Sequence, residues 1–260
     1  MSTSSAASPE SVLAPGSLAG RRALVTGSSR GIGADTARYL AAAGAKVVIN
    51  YRNKEARALK LVSAIEEGGG EAIAIGADLT DAASLDRLFE TVAAEWGGLD
   101  ILVMNASGGM ESGMPEDYAM RLNRDSQVAL LTSALPHLAP GSRVVFVTSH
   151  QAHFVKSAET MPEYLPVALS KRAGEDALRA MIPELRDRGV EFVVVSGDMI
   201  EGSTMVRLFE RRDPEAVAAR RLAGGGLPSP SEFAGAIVRA THEPHRSGDT
   251  VYVGGADYLS

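Results

Sequence analysis

Short apolar runs alternate with longer stretches of helical periodicity along most of the chain. The short runs are rich in Val and Ile and are bounded by turn residues, which is typical of buried strands. They are Ala23–Thr26, Lys46–Asn50, Glu71–Ile75, Ile101–Met104, Arg143–Thr148, Glu191–Ser196 and Thr250–Val253. Helices are predicted over 32–43, 54–67, 82–96, 116–138, 167–188 and 230–241. This alternation predicts an α/β fold, in which a doubly wound parallel sheet carries helices on both faces.

Two segments fall outside this alternation. Residues 1–19 are rich in Ser, Ala and Pro without the basic start and apolar run of a secretory signal, so they are predicted to be a disordered tail. No linker interrupts residues 20–260, which are therefore predicted to form a single domain. The long charged segment 198–229 follows the sixth strand and is interpreted either as a substrate loop or lid, or as a surface helical hairpin.

Composition narrows the classes of partner. The formal charge of −6 and the absence of a long Lys/Arg run argue against a nucleic-acid partner. The chain has no cysteine, which excludes disulfides, zinc thiolates and a cysteine nucleophile, and its five histidines lack the spacing of a metal site. No apolar run reaches the length of a membrane span, so we expect no membrane partner. Because residues 1–19 lack the features of a secretory signal, we expect a cytoplasmic location. We also expect a small-molecule substrate.

The turn after the first strand carries the clearest chemistry. Residues Gly27-Ser28-Ser29-Arg30-Gly31-Ile32-Gly33 lie between this strand and the first helix. Glycines there permit a tight turn and a close approach of a pyrophosphate to the free N–H groups of the helix. The sequence therefore predicts a Rossmann-type dinucleotide site, although a tight turn that binds nothing is the alternative.

The motif Thr26-Gly-x-x-x-Gly31-x-Gly33 resembles that of the short-chain dehydrogenases/reductases, and most closely their 3-oxoacyl-acyl-carrier-protein-reductase-like single-domain branch. The resemblance continues along nearly the whole chain. Its further matches are Asp78-Leu79, Asn105-Ala106-Ser107-Gly108, Asn123, Ser149, Ser170-Lys171, Gly197 and Gly248–Gly255. In the family, the serine orients the substrate carbonyl, the lysine binds the ribose and the asparagine steadies a catalytic water. The resemblance implies these roles for Ser149, Lys171 and Asn123.

The resemblance also predicts which residues hold the cofactor. They are Gly27, Ser29, Arg30, Gly31, Ile32, Gly33, Tyr51, Arg52, Asp78, Leu79, Asn105, Ala106, Lys171, Gly197 and Ile200. An acidic residue at the end of the second strand favours NAD, whereas a basic group favours the 2′-phosphate of NADP. Tyr51 stands at the usual acidic position, with Arg52 next to it and Arg30 in the glycine turn. We expect NADP(H), unless Arg52 is merely a solvated surface charge.

The catalytic tyrosine of the family motif is missing. The residue four positions before Lys171 is Val167, which cannot donate a proton. Pro166 suits the first turn of a helix and places Tyr164 just before it, so Tyr164 is the provisional replacement acid. Tyr164 could equally be a packing residue, and two other proton sources remain open. One is a histidine after Ser149 (His150 or His153), and the other is Lys171 acting through ribose and water.

The favoured function is reduction of a ketone or other carbonyl by NADPH, or the reverse oxidation of an alcohol. The rival hypothesis is a dinucleotide-binding sensor or scaffold that has lost catalysis, which the missing tyrosine supports. The retention of Ser149, Asn123 and Lys171 argues against this rival hypothesis. Helices 116–138 and 167–188 carry apolar residues on more than one face, and the resemblance implies that they pair between subunits. We therefore expect a homodimer or homotetramer.

Overall fold

The computed structural model describes residues 12–111 and 113–259. Its first half contains three strands, each followed by a helix. The strands are β1 (Arg22–Val25), β2 (Lys46–Tyr51) and β3 (Glu71–Gly76). The helices are α1 (Gly31–Ala42), α2 (Glu55–Glu67) and α3 (Ala82–Trp96).

The second half has the same alternation with more interruptions. Its strands are β4 (Leu99–Met104), β5 (Leu138–Ser149), β6 (Glu191–Gly197) and β7 (Thr250–Val253). Between β4 and β6 lie α4 (Tyr118–Met120), α5 (Ser126–Ala134), α6 (His150–His153), α7 (Leu165–Ala180) and α8 (Ile182–Asp187). After β6 come α9 (Thr204–Arg212), α10 (Pro214–Ala223) and α11 (Pro230–Ala240).

The seven strands form one parallel sheet in the order β3-β2-β1-β4-β5-β6-β7. Successive residues of a strand point to opposite faces, and each face has its own apolar layer. Val25 packs with α1, α2 and α11, whereas the neighbouring Leu24 packs with α3, α5, α7 and α8. The predicted single-domain, doubly wound α/β fold is confirmed. Because all strands are parallel, their carboxyl ends meet at one edge, where ligands bind in such sheets.

Two predicted helices are interrupted. The prediction of one helix over 116–138 was wrong, because a π-helical turn at Arg121–Asp125 separates α4 from α5, and Leu135–His137 form a 3₁₀ turn. The helix predicted over 167–188 begins at Leu165 and is divided into α7 and α8. Pro183 explains the division, because it lacks the N–H that would continue α7 and instead occupies the first turn of α8.

The boundary of the predicted tail also needs correction. Residues 1–11 lie outside the described part of the chain. Residues 12–19 form turns, and Val12 and Leu18 are buried in the layer beneath α1 and α11. Apolar burial therefore fixes this stretch, and the predicted disorder of 1–19 does not apply to residues 12–19.

Two kinds of feature are absent from the described residues. No helix in residues 12–111 or 113–259 is both long and apolar enough to cross a membrane. Within the same ranges, no group of three or more His, Asp or Glu side chains is arranged to hold a metal ion.

Candidate functional site: a dinucleotide cleft beside a buried polar cluster

The glycine turn has a shape that larger residues would disrupt. Gly27 and Gly31 adopt left-handed conformations, with φ of 62° and 57°. A Cβ on Gly33 would lie 2.6 Å from the Asn105 side-chain nitrogen and 2.9 Å from the Gly27 carbonyl oxygen. The first turn of α1 has no side-chain cap. The turn therefore leaves the amide groups of α1 available to an anion.

Asn50 supports this turn and was missed by the sequence analysis. Its side-chain oxygen accepts a hydrogen bond from the Gly27 N–H at 3.1 Å, and its amide donates to the carbonyls of Ile75 and Ala77 at 3.4 Å. Asn50 thus ties β1, β2 and β3 together beneath the turn. The available signal was a polar residue at the end of an otherwise apolar strand, which calls for buried hydrogen-bond partners.

A cleft of about 630 Å³ opens above this turn. It is lined by most of the residues predicted to bind the cofactor: Gly27, Ser29, Arg30, Gly31, Ile32, Gly33, Tyr51, Arg52, Asp78, Leu79, Asn105 and Ala106. Three predicted residues are not part of this lining. Lys171 is buried in α7, Gly197 ends β6 against Phe233, and Ile200 packs in the apolar layer beneath α11.

Polar side chains at the β2 and β3 ends of the cleft are held by neighbours. The Arg52 guanidinium donates to the Tyr118 hydroxyl at 3.0 Å, and the Tyr51 hydroxyl donates to Glu55 at 2.9 Å. Asp78 accepts hydrogen bonds from the backbone and hydroxyl of Thr80. Arg30, Lys54 and Arg57 also line this cleft. Cations therefore predominate where a phosphate would lie.

The proposed catalytic residues lie beside this cleft, and two of them are in contact. Ser149 ends β5, and Tyr164 ends a 3₁₀ turn at the N-cap of α7, as the position of Pro166 predicted. The Ser149 Oγ and Tyr164 Oη atoms are 3.3 Å apart, so either can donate to the other. Burial raises the pKa of Tyr164, and the hydrogen bond to Ser149 opposes this effect. Tyr164 is therefore a neutral donor at neutral pH.

Asn123 and Lys171 are also buried, at 2% and 8% exposure. The Asn123 amide donates to the Gly108 carbonyl at 2.8 Å and to Ser170 Oγ at 3.0 Å, which joins the π-helical turn to α7. Burial lowers the pKa of Lys171 to about 8, while the charge of Glu175 opposes that shift. Val167, four residues before Lys171, is a buried packing residue.

The two histidines after Ser149 are engaged elsewhere. His150 is fully buried, with Nδ1 2.8 Å from Ser196 Oγ and Nε2 3.0 Å from the Gly254 carbonyl. Burial lowers the pKa of His150, so the ring stays neutral. His153 bonds to Glu175 and to Tyr252. Neither ring has the contact with Ser149 that Tyr164 has.

The segment 198–229 folds as α9 and α10 against the tyrosine. Phe209 of α9 meets the Tyr164 ring edge-on, with centroids 6.0 Å apart, and both side chains are buried together with Val206 and Val217. Arg212 forms an ion pair with Glu163 at 2.8 Å, next to Tyr164. The segment is therefore a helical pair that packs on the candidate acid.

Comparison with known proteins gives the family. The short chain dehydrogenase family model matches residues 21–213. A probable tetrahydroxynaphthalene reductase of Zymoseptoria tritici is 36% identical over 179 residues, which are 66% of this chain and 66% of that relative. A short chain dehydrogenase from Burkholderia cenocepacia, solved with NADP, is 30% identical with a TM-score of 0.78, over 92% of this chain and 99% of that one. The angucycline C-6 ketoreductase LanV, solved with bound NADP, is 29% identical with a TM-score of 0.80, over 95% and 98%.

The chain belongs to the short-chain dehydrogenase/reductase family. Its seven-stranded sheet, its glycine turn and the extent of the family match agree on this point. With reductases among its relatives, it is an oxidoreductase that acts on CH–OH and C=O groups and uses a nicotinamide cofactor.

Proposed function

We propose that this protein is an NADPH-dependent ketone reductase, able to catalyse the reverse oxidation of the alcohol, in which Tyr164 replaces the missing tyrosine of the family motif. The observation that carries this proposal is the 3.3 Å contact between the Tyr164 and Ser149 hydroxyls beside the dinucleotide cleft. A carbonyl reductase polarises the substrate oxygen with one group and protonates it with another, and two adjacent hydroxyl groups can fill these roles. Ser149 and Tyr164 supply such a pair, so the proposal requires no hydroxyl from the residue at position 167.

The cleft fits the dinucleotide. The space above Gly33 accepts no side chain, the amides of α1 are uncapped, and Arg30 and Arg52 line the same cleft. The tight turn and the uncapped amides suit a pyrophosphate, and the two arginines suit a 2′-phosphate. When bound, NADPH would supply a hydride to the substrate's carbonyl carbon.

Residues of the chain would polarise the substrate's carbonyl oxygen and supply the proton that it receives. Ser149 donates a hydrogen bond to the carbonyl oxygen, and Tyr164 transfers its proton to that oxygen as the alcohol forms. Lys171, with its pKa near 8, can return a proton toward the tyrosinate and hold the ribose hydroxyls. Asn123 fixes the π-helical turn against Ser170 and so positions α7. The reverse sequence oxidises an alcohol.

The surroundings of Tyr164 support an apolar substrate under α9 and α10. The methionines Met110, Met161, Met199 and Met205 are partly buried around Tyr164, Val167 and Phe209. Methionine side chains adapt to irregular apolar shapes and make favourable contacts with aromatic rings. We therefore propose that segment 198–229 is a substrate lid and that the substrate is a bulky apolar ketone. The names of the reductase from Zymoseptoria and of LanV, which refer to tetrahydroxynaphthalene and angucycline compounds, are consistent with a bulky ring system as substrate.

Cofactor titration tests the NADPH assignment. Wild type and Arg52→Ala should be titrated with NADPH and NADH by fluorescence. Loss of one charge-assisted contact to phosphate weakens binding by roughly 1.5–3 kcal/mol, so Arg52→Ala should bind NADPH about tenfold or more weakly with little change for NADH. Equal affinities of the wild type for the two cofactors would contradict the assignment of NADPH as the cofactor.

Turnover decides between reductase and sensor. NADPH oxidation should be followed with a panel of apolar cyclic ketones. Consumption of NADPH with any of them supports the reductase, whereas tight NADPH binding without turnover across the panel supports the non-catalytic sensor. The homodimer or homotetramer, the cytoplasmic location and the absence of nucleic-acid partners stay predictions from the sequence.

A further inference from the structure

A hydrogen bond crosses the cofactor cleft between elements far apart in sequence. Arg52 directly follows β2, and Tyr118 begins α4 after β4. In the sheet, β1 lies between β2 and β4, so the bond from Arg52 Nη1 to Tyr118 Oη passes over the carboxyl end of β1. Both residues line the dinucleotide cleft. The bond therefore lies where the adenosine end of a dinucleotide would enter.

Tyr118 is well placed to orient the guanidinium. Its side chain is buried, at 9% exposure, whereas Arg52 is exposed. A buried aromatic ring holds its hydroxyl in one position, and a long exposed arginine otherwise samples many rotamers. The bond uses only Nη1, at 3.0 Å, so Nε and Nη2 remain as a fork that suits phosphate oxygens. Tyr118 thus restrains Arg52 without consuming its capacity to bind an anion.

The charges around Arg52 make this restraint useful. Asp78 and Glu111 interact electrostatically with Arg52 and raise its pKa, although less than the bond to Tyr118 does. Asp78 is held by Thr80, and Glu111 accepts a hydrogen bond from the Gly109 N–H at 2.6 Å. A guanidinium that formed a bidentate ion pair with either carboxylate would no longer be available to bind a phosphate. The Tyr118 hydroxyl instead offers an acceptor that keeps the guanidinium out of a direct ion pair with either carboxylate.

We infer that Tyr118 is a positioning residue for recognition of the 2′-phosphate of NADPH, acting through Arg52. The inference rests on the proposed use of NADPH and extends it to a residue of α4. The Tyr118 hydroxyl holds Arg52 in the orientation that receives the phosphate. It therefore contributes to the preference for NADPH over NADH without contacting the reacting atoms.

The test is a double-mutant cycle on binding, with no turnover needed. Tyr118→Phe, Arg52→Ala and the double variant should be titrated with NADPH, NADH, adenosine 2′,5′-bisphosphate and 5′-AMP. Tyr118 acts through Arg52 and does not itself contact the phosphate, so its loss should change affinity by about two- to tenfold, the net range for one ordinary hydrogen bond. Tyr118→Phe should weaken NADPH and the bisphosphate by that factor and leave NADH and 5′-AMP unchanged. In the Arg52→Ala background, Tyr118→Phe should have no further effect, because no guanidinium remains to be oriented.

Tyr252→Phe is the matched control. It removes a phenol hydroxyl that contacts His153, outside the residues lining the cleft, and should alter neither nucleotide pair. Equal weakening of NADPH and NADH by Tyr118→Phe would overturn the inference, since the residue would then serve adenine or the fold. Persistence of its effect in the Arg52→Ala background, or an unchanged NADPH preference, would overturn it too. A wild type without any preference would instead refute the proposed cofactor.

Discussion

The two halves of the carboxyl edge of the sheet present different kinds of chemical groups. Beside β1, β2 and β3, the candidate cofactor site consists of backbone amides, glycines and exposed arginines around an open cleft. Beside β4, β5 and β6, Asn123, Tyr164 and Lys171 are buried. The first half presents shape and charge, and the second presents a few hydrogen-bonding groups in a packed interior.

This difference predicts that the two halves tolerate substitution differently. Phosphate attraction acts over several ångströms, so arginines on flexible stems can supply it from an exposed edge. Proton transfer requires hydrogen-bond contact between donor and acceptor, so the donor has to be fixed by packing. Tyr164, the proposed donor, is buried at the N-cap of α7, where its ring packs edge-on against Phe209.

The packed half should be the more sensitive to a single added methyl group. A Cβ on Gly174 of α7 would lie 2.0 Å from the Asn123 carbonyl oxygen. Overpacking against backbone typically destabilises by about 1–3 kcal/mol, and this contact falls at the upper end. Gly174→Ala should therefore lower the free energy of unfolding by about 3 kcal/mol or more, measured by urea denaturation.

Gly235→Ala is the control for that variant. Gly235 also lies within a helix, but its Cβ would meet side-chain atoms no nearer than 3.4 Å. Since alanine is favoured over glycine in a helix by about 0.5–1 kcal/mol, Gly235→Ala should be neutral or stabilising. Similar destabilisation by both variants would contradict the close packing of α7 on the π-helical turn.

Burial of Lys171 should appear in the pH dependence of stability. Its pKa falls from the ordinary 10.5 to about 8 in the folded chain. Between these values the unfolded chain binds a proton that the folded chain does not, so this group makes stability rise with pH from about 8 to 10.5. Relative to Lys171→Met, the wild type should gain roughly 2–3 kcal/mol in unfolding free energy between pH 7.5 and 10.5. A difference that stays constant over this range would show that the lysine is solvated.

Hydrophobic periodicity was sufficient for the sheet, and long-range packing limited the rest. All seven predicted strands occur, because short Val- and Ile-rich runs between turn residues leave few alternatives. The π-helical turn at Asn123 was not predicted, and the residue packed closely against it, Gly174, lies in a helix about 50 residues later. Burial of Val12 was missed for the same reason, as its partners lie in α11.

The candidate site shows the same limit. The glycine turn and Arg52 are local signals and could be read directly. The Tyr118–Arg52 bond joins residues 66 positions apart, and the Ser149–Tyr164 bond joins residues 15 positions apart. The local sequence around one residue of each pair does not indicate its partner. Asn50 was overlooked because its polar character is visible but its three partners are not.

The most direct test of the account removes one oxygen atom. Single-turnover oxidation of NADPH with a ketone that the wild type reduces should be compared in wild type, Tyr164→Phe and Tyr252→Phe, at saturating cofactor. General acid catalysis contributes about 10²–10⁴ in rate, so Tyr164→Phe should be slower by at least about a hundredfold, with unchanged NADPH affinity, while Tyr252→Phe keeps the wild-type rate. A Tyr164→Phe variant that retains most of its single-turnover rate would contradict the assignment of Tyr164 as the proton donor.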